Sequence, residues 1–186
     1  IVNDLNGARD WYLSEIDQIL EIINIDLDFP IIFRPLHEMN GNWFWWGTKT
    51  SNHTPSLYID LFRLTVDYMK ERTDNVLYAW SPNWEIEESY YPGDNYVDVV
   101  GIDFYGASKS NLGQNLRNLT TFSEQHNKVS AFTETGDQGY INTNPDFWTD
   151  DILSVIESAG TDIRLAWVLG WFNAPWDNGQ ENLFIP

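Results

Sequence analysis

Cysteine is absent from the 186 residues, which excludes disulfides and thiolate metal sites and leaves the redox compartment undetermined. Basic side chains are scarce: 10 Lys and Arg stand against 28 Asp and Glu, for a formal net charge of −18. A field of that sign repels phosphate backbones and anionic lipid, so nucleic acid and membrane surfaces are poor partners, while a neutral substrate is unaffected. No stretch approaches the roughly 18 consecutive apolar residues that a membrane helix needs, so no membrane insertion is expected. The opening Ile1-Val2-Asn3-Asp4 has neither the basic nor the apolar part of a signal peptide, as would also hold for a mature or trimmed chain. Histidine occurs three times, at His37, His53 and His126, without the paired spacing of metal ligands, so no metal is implied. No glycine-rich phosphate loop opens a helix either: Gly101 falls inside a strand pattern, and Gly136 and Gly139 precede no obvious helix. No cofactor is expected.

What is abundant is aromatic. Ten Trp, 9 Tyr and 10 Phe make 16% of the chain. Many belong to a core, but indole combines a large apolar face with a polar N–H and often keeps one edge wet. Sugar rings stack on such faces, so tryptophan clustered in loops is a modest pointer to carbohydrate.

Along the chain, helical and strand patterns alternate. Apolar residues at Trp11, Leu13, Ile16, Ile19, Leu20 and Ile23 predict a helix over 10–25, and Ile31-Ile32-Phe33 a strand buried on both faces. A helix over 57–69 follows Pro55, which suits a first turn, and strands are expected over 76–80 and 97–105. Helix 112–126, strand 129–133, helix 145–159 with Asn144 as cap, and strand 165–172 complete the pattern. Apolar strands alternating with helices predict a parallel sheet covered by helices, in a single catalytic domain spanning 1–186. In all five strands a polar and aromatic cluster lies just past the apolar run: 34–46, 80–84, 103–105, 134–137 and 171–176. Parallel strands bring those ends to one face, where barrels and open α/β sheets both place their sites. A closed eight-stranded barrel takes about 250 residues, so five strands imply a partial barrel or an open sheet.

Two glutamates stand at such ends. Glu38 lies in Arg34-Pro35-Leu36-His37-Glu38-Met39-Asn40-Gly41, ahead of Trp43-Phe44-Trp45-Trp46, and Glu134 lies in Phe132-Thr133-Glu134-Thr135-Gly136. Glycoside hydrolysis needs such a pair, one carboxylic acid to protonate the leaving oxygen and one carboxylate to attack the anomeric carbon or activate water. A chain this acidic puts some glutamates at strand ends by chance; the histidine and tryptophans around Glu38 favour the catalytic reading.

The segment Phe33 to Gly41 with its Trp43-Phe44-Trp45-Trp46-Gly47 tail closely resembles the acid/base motif of glycoside hydrolase family 26, chiefly endo-β-1,4-mannanases. Trp80-Ser81-Pro82-Asn83, Gly101-Ile102-Asp103-Phe104-Tyr105 and Thr133-Glu134-Thr135-Gly136 resemble its later strand motifs, in order. The resemblance implies an α/β fold, a (β/α)8 barrel of which this chain supplies about strands 4 to 8, incomplete at both ends. It implies a retaining mechanism with Glu38 as acid/base and Glu134 as nucleophile, and a secreted, cell-surface or periplasmic enzyme acting on mannan-type polysaccharide. A monomer is expected.

Supporting residues have two readings each. His37 either hydrogen-bonds the sugar beside the scissile bond or packs under the strand end. Tyr105 either donates its hydroxyl to Glu134, favouring the charged carboxylate, or fills the rim. Trp43 and Trp171 are candidates for stacking on sugar, placed near the site by the resemblance. Arg34, with its permanent charge and bidentate fork, reads more strongly as a structural partner of buried carboxylates. Asp103, inside a strand motif, reads as structural, and Asn40 and Asn83 as loop ties. Many relatives carry an arginine after the last strand's tryptophan, where this chain has Phe172, which questions any distal subsite built on it. The alternatives are the same chemistry on mixed-linkage β-glucan or xylan, and a carbohydrate-binding protein without catalysis.

Overall fold

A computed structural model describes residues 1–48, 53–106, 108–136, 146–171, 174–176 and 180–182. By its internal contacts the chain forms two compact units, one of residues 1–80 and 87–99, the other of 81–86 and 100–186. Asn144, Asp137, Gly139 and Phe172, used in the sequence reading, lie outside the described residues.

The first unit begins with helix α1, Ala8–Glu21, continued by a π-helical segment, Ile22–Asp26. Strand β1 follows at Ile31–Phe33, then helix α2 at Pro55–Lys70 and strand β2 at Val76–Trp80. The sequence explains α2 well. Thr54 accepts from the Leu57 N–H at 3.3 Å, Pro55 occupies the first turn, and Lys70 lies in the last turn, where a cation suits the helix dipole. Its buried residues Tyr58, Leu61, Phe62, Thr65, Val66 and Met69 recur at helical spacing on one face. On α1 and its π-helical continuation the expected positions Ile16, Leu20 and Ile23 are buried, but at its start Tyr12 is buried and Trp11 exposed, with the Tyr12 hydroxyl bonded to Thr65 Oγ1 at 2.6 Å. The phenol fills the core because α2 supplies a polar partner there, a pairing that periodicity cannot see.

Strands β1 and β2 pair in parallel, Ile31 opposite Val76 and Phe33 opposite Tyr78. The expectation that β1 is buried on both faces fails, because Ile32 is 44% exposed and Leu77 of β2 is 46% exposed. Beside β2, Asp98 acts as a strand edge: its N–H donates to the Tyr78 carbonyl at 2.8 Å and its Oδ2 accepts the Tyr78 N–H at 2.8 Å. Strand β3, Val99–Asp103, starts there. Its first residue belongs to the first unit and the rest to the second.

In the second unit the remainder of β3 neighbours β4, Val129–Thr135, which pairs in parallel with β5, Val168–Gly170. Helix α3, Lys109–Gln125, is capped by Ser108, whose hydroxyl accepts from the Asn111 N–H at 3.4 Å. The expected helix over 145–159 is a π-helical stretch, Phe147–Leu153, leading into helix α4, Ser154–Ala159. A short antiparallel pair, β6 at Ala174–Trp176 and β7 at Gln180–Asn182, follows β5 and was not expected. No helix among the described residues is long and apolar enough to cross a membrane.

One contact in this unit fixes a strand end. A Cβ on Gly101 would lie 2.9 Å from Thr133 Cβ and closer still to its Cγ2 and Oγ1. Thr133 cannot easily yield, because its hydroxyl donates toward both the Ile102 carbonyl at 2.9 Å and Asp103 Oδ1 at 2.7 Å. Gly101→Ala is therefore expected to destabilise the protein by about 1–3 kcal/mol as overpacking, read as a lower midpoint in thermal or denaturant unfolding. An unchanged midpoint would remove this contact from the account.

Candidate active site

Glu38 sits past β1 in a turn that the following aromatic segment folds back upon. The backbone at Leu36 and Glu38 is left-handed, with φ of 53° and 52°, a region that costs residues carrying a Cβ. Three ties hold it. The Gly41 N–H donates to the Glu38 carbonyl at 2.9 Å, and the Trp46 indole N–H to the His37 carbonyl at 2.7 Å. Thr48 reaches the Met39 carbonyl twice, by its N–H at 2.8 Å and its hydroxyl at 3.0 Å. Met39 itself is fully buried and anchors the turn. Trp46 is thus a backbone tie for the residue before Glu38.

Within this unit the Glu38 carboxylate is buried, and Trp43 donates its indole N–H to Glu38 Oε2 at 2.6 Å. The rest of the Trp43 side chain is 53% exposed, so one edge binds the carboxylate while a face stays open. His37 is half-buried, its ring 4.8 Å from that of Phe44 and 6.0 Å from that of Trp46. Burial, and secondarily the charge of Arg34, push its pKa down to about 4. At neutral pH it is an uncharged imidazole with one N–H to give and one lone pair to offer. Asn40 is buried in the same turn.

The second unit holds the other carboxylate. Glu134 is buried near the end of β4 between Thr133 and Thr135, also buried. The Tyr105 hydroxyl donates to Glu134 Oε1 at 2.6 Å, and the Phe104 N–H to the Glu134 carbonyl at 2.9 Å. Thr135 reinforces that register with its hydroxyl on the Phe104 carbonyl at 2.8 Å. Trp171 follows β5 directly, its N–H on the Thr135 carbonyl at 2.8 Å, with a half-buried side chain. Asp103 is fully buried, takes the Thr133 hydroxyl, and is bridged by Asn83. Trp84 has no sequence signal for its geometry. It adopts φ of 71°, unusual for so bulky a residue, with its N–H on the Asp103 carbonyl at 2.7 Å and its ring 5.1 Å from Phe104, yet it is 43% exposed.

The structure thus joins Trp43 to Glu38 in one unit and Tyr105 to Glu134 in the other, each carboxylate meeting a donor carried on an aromatic ring. Such short bonds to a carboxylate are charge-assisted and fix its orientation.

Known proteins with this sequence and fold bear on what these groups do. A mannan endo-1,4-beta-mannosidase of Bacillus subtilis is 39% identical over 117 residues, covering 59% of this chain and 31% of that protein. Endoglucanase H of Acetivibrio thermocellus is 34% identical over 109 residues, covering 54% of this chain and 12% of that protein. The catalytic domain of a family 26 endo-beta-1,4-mannanase from Bacillus sp. JAMB-750 superposes with a TM-score of 0.82 at 31% identity, over 94% of this chain and 51% of that domain. The chain therefore spans about half the length of that solved relative and about a third or less of the other two. Its strand–helix alternation agrees with part of a (β/α)8 barrel. Residues 1–178 match the profile of Glycosyl hydrolase family 26, and the chain belongs to that family.

Proposed function

We propose that this chain carries the catalytic carboxylates of an endo-acting, retaining β-1,4-mannanase. The observation that carries the reading is the pair of buried glutamates, one past β1 and one near the end of β4, each gripped at 2.6 Å by an aromatic donor. Family membership and the mannosidase name of the Bacillus subtilis relative support it. Glu134 attacks the anomeric carbon while Glu38 protonates the departing sugar oxygen. Glu38, now a carboxylate, then takes a proton from water, which displaces Glu134 and returns the starting configuration. Tyr105 orients the nucleophile. The exposed face of Trp43 and the Trp171 ring stack on sugar, and the neutral His37 hydrogen-bonds it without attracting ions. A polysaccharide is too large to enter a cell, so the protein works outside it or at its surface, as a monomer.

The name Endoglucanase H on one relative favours a second backbone, β-glucan, for the same chemistry. Reducing-end release by the intact protein from mannan, lichenan and xylan separates the two readings. Mannan is expected to be cleaved at least about tenfold faster in kcat/KM, a difference of about 1.4 kcal/mol in transition-state binding. Preference for lichenan or xylan would overturn the mannanase assignment. In the same reaction followed by NMR, the β anomer is expected to appear first; first appearance of the α anomer would overturn retention.

A further inference from the structure

The contact between Trp43 and Glu38 depends on a residue that touches neither substrate nor carboxylate. Gly41 is buried and lies beneath the Trp43 indole, so that a Cβ built on it would stand 2.6 Å from Trp43 Cε2 and Cη2 and nearer still to Cζ2. Real Cβ atoms essentially never come so close, so any side chain at 41 must push the indole away. The backbone has little room to yield instead. The Gly41 N–H is held on the Glu38 carbonyl at 2.9 Å, and a Cβ on Gly47 would meet the Gly41 carbonyl oxygen at 2.6 Å, so the two glycines pack backbone to backbone. Gly41 is not at positive φ, so a turn conformation does not explain the glycine; the space taken by the indole does.

We propose that Gly41 is a positioning residue for the Glu38 carboxyl group, acting through Trp43: its missing Cβ seats the indole so that Nε1 reaches Glu38 Oε2. The inference rests on Glu38 being the acid/base group. Trp43 thereby has two separable jobs, an N–H that aims the carboxyl group and an open face. Misplacing a catalytic group by about 1 Å can cost about 100-fold, so the seat matters to turnover rather than to affinity.

Three variants of the intact protein test this: Gly41→Ala, Trp43→Phe and the double variant. Phenylalanine keeps an aromatic face but removes the N–H together with the Cζ2 and Cη2 atoms that a Cβ at 41 would strike. Each single variant is expected to lower kcat on mannan between about tenfold and 100-fold, a larger change than in KM, which moves only as far as the stacking face of Trp43 is displaced. The double variant is expected to be no worse than Trp43→Phe, because two of the three atoms in conflict are gone and the smaller ring can shift. An aryl β-mannoside whose leaving group needs no proton should lose less than about threefold in its first step in every variant. Parental kcat in Gly41→Ala, losses that multiply in the double variant, or equal losses on mannan and the activated glycoside would each overturn the proposal. Should Gly41→Ala not fold, as a melting curve reveals, Trp43→Phe alone decides through its KM and leaving-group behaviour. Glu38→Ala run in parallel separates the two levels. If it keeps the parental kcat, the acid/base reading itself falls; if it loses kcat as expected while Gly41→Ala keeps the parental kcat, only the seat is refuted.

Discussion

Glu134→Ala is expected to lower kcat on mannan by on the order of 10⁴-fold or more while the variant still binds mannan oligosaccharides. A covalent route has no substitute for its nucleophile, whereas binding draws on aromatic faces and hydrogen bonds spread over the chain. The substitution also removes the acceptor of the Tyr105 hydroxyl, which donates to Glu134 Oε1 at 2.6 Å. A lost hydrogen bond costs about 0.5–1.5 kcal/mol, so a modest fall in melting temperature should accompany the lost activity. Calorimetric titration with a mannan oligosaccharide distinguishes lost catalysis from lost folding. Turnover at the parental rate would remove Glu134 from the mechanism and leave a binding protein as the better reading of the site.

Glu38→Ala is expected to differ in kind. General acid–base catalysis contributes typically 10²–10⁴-fold, so mannan hydrolysis should fall by about that factor. With an activated aryl β-mannoside the first step no longer needs a proton and should survive, leaving the glycosyl-enzyme to accumulate as a burst. Added azide, a nucleophile that needs no general base, should restore turnover and form a β-mannosyl azide. Equal losses on both substrates with no azide rescue would show that Glu38 supports the structure and not the proton transfer.

Much of the strand pattern was legible because buried parallel strands are written as continuous apolar runs. Val76-Leu77-Tyr78-Ala79-Trp80 forms β2 as expected. The longer reading of 97–105 shortens to Val99–Asp103 because Asp98 turns its side chain into the edge of β2. On α1 and its continuation periodicity placed Ile16, Leu20 and Ile23 correctly but took Trp11 for the first buried position, where Tyr12 is buried because Thr65 offers its hydroxyl a partner. It missed β6, whose Ala174-Pro175-Trp176 has no alternation and contains a residue unable to donate to a ladder.

The site was legible to the extent that chemistry shows in residue type. Glu38, Glu134, Tyr105 and Trp43 stand out as a carboxylate pair with polar aromatics past strand ends, and the hydrogen bond expected from Tyr105 to Glu134 is present. The N–H donated by Trp43 was not anticipated; tryptophan in a loop suggests a face to stack on, and the edge announces itself only in three dimensions. Gly41 is visible as a glycine, but the indole that fills the place of its Cβ is not, and the left-handed dihedral of Trp84 has no signature in a single sequence.

On the proposed reading of Glu38, its dihedral angle sets stability and activity against each other at a single bond. A side chain at φ of 52° carries a conformational penalty of about 1–3 kcal/mol that glycine would escape. Glycine would suit this turn best, and the glutamate is held there by the indole and threonine ties around it. If Glu38 is the acid/base group as proposed, selection for folding alone would drift this position toward glycine, and the glutamate marks a trade-off between folding and chemistry.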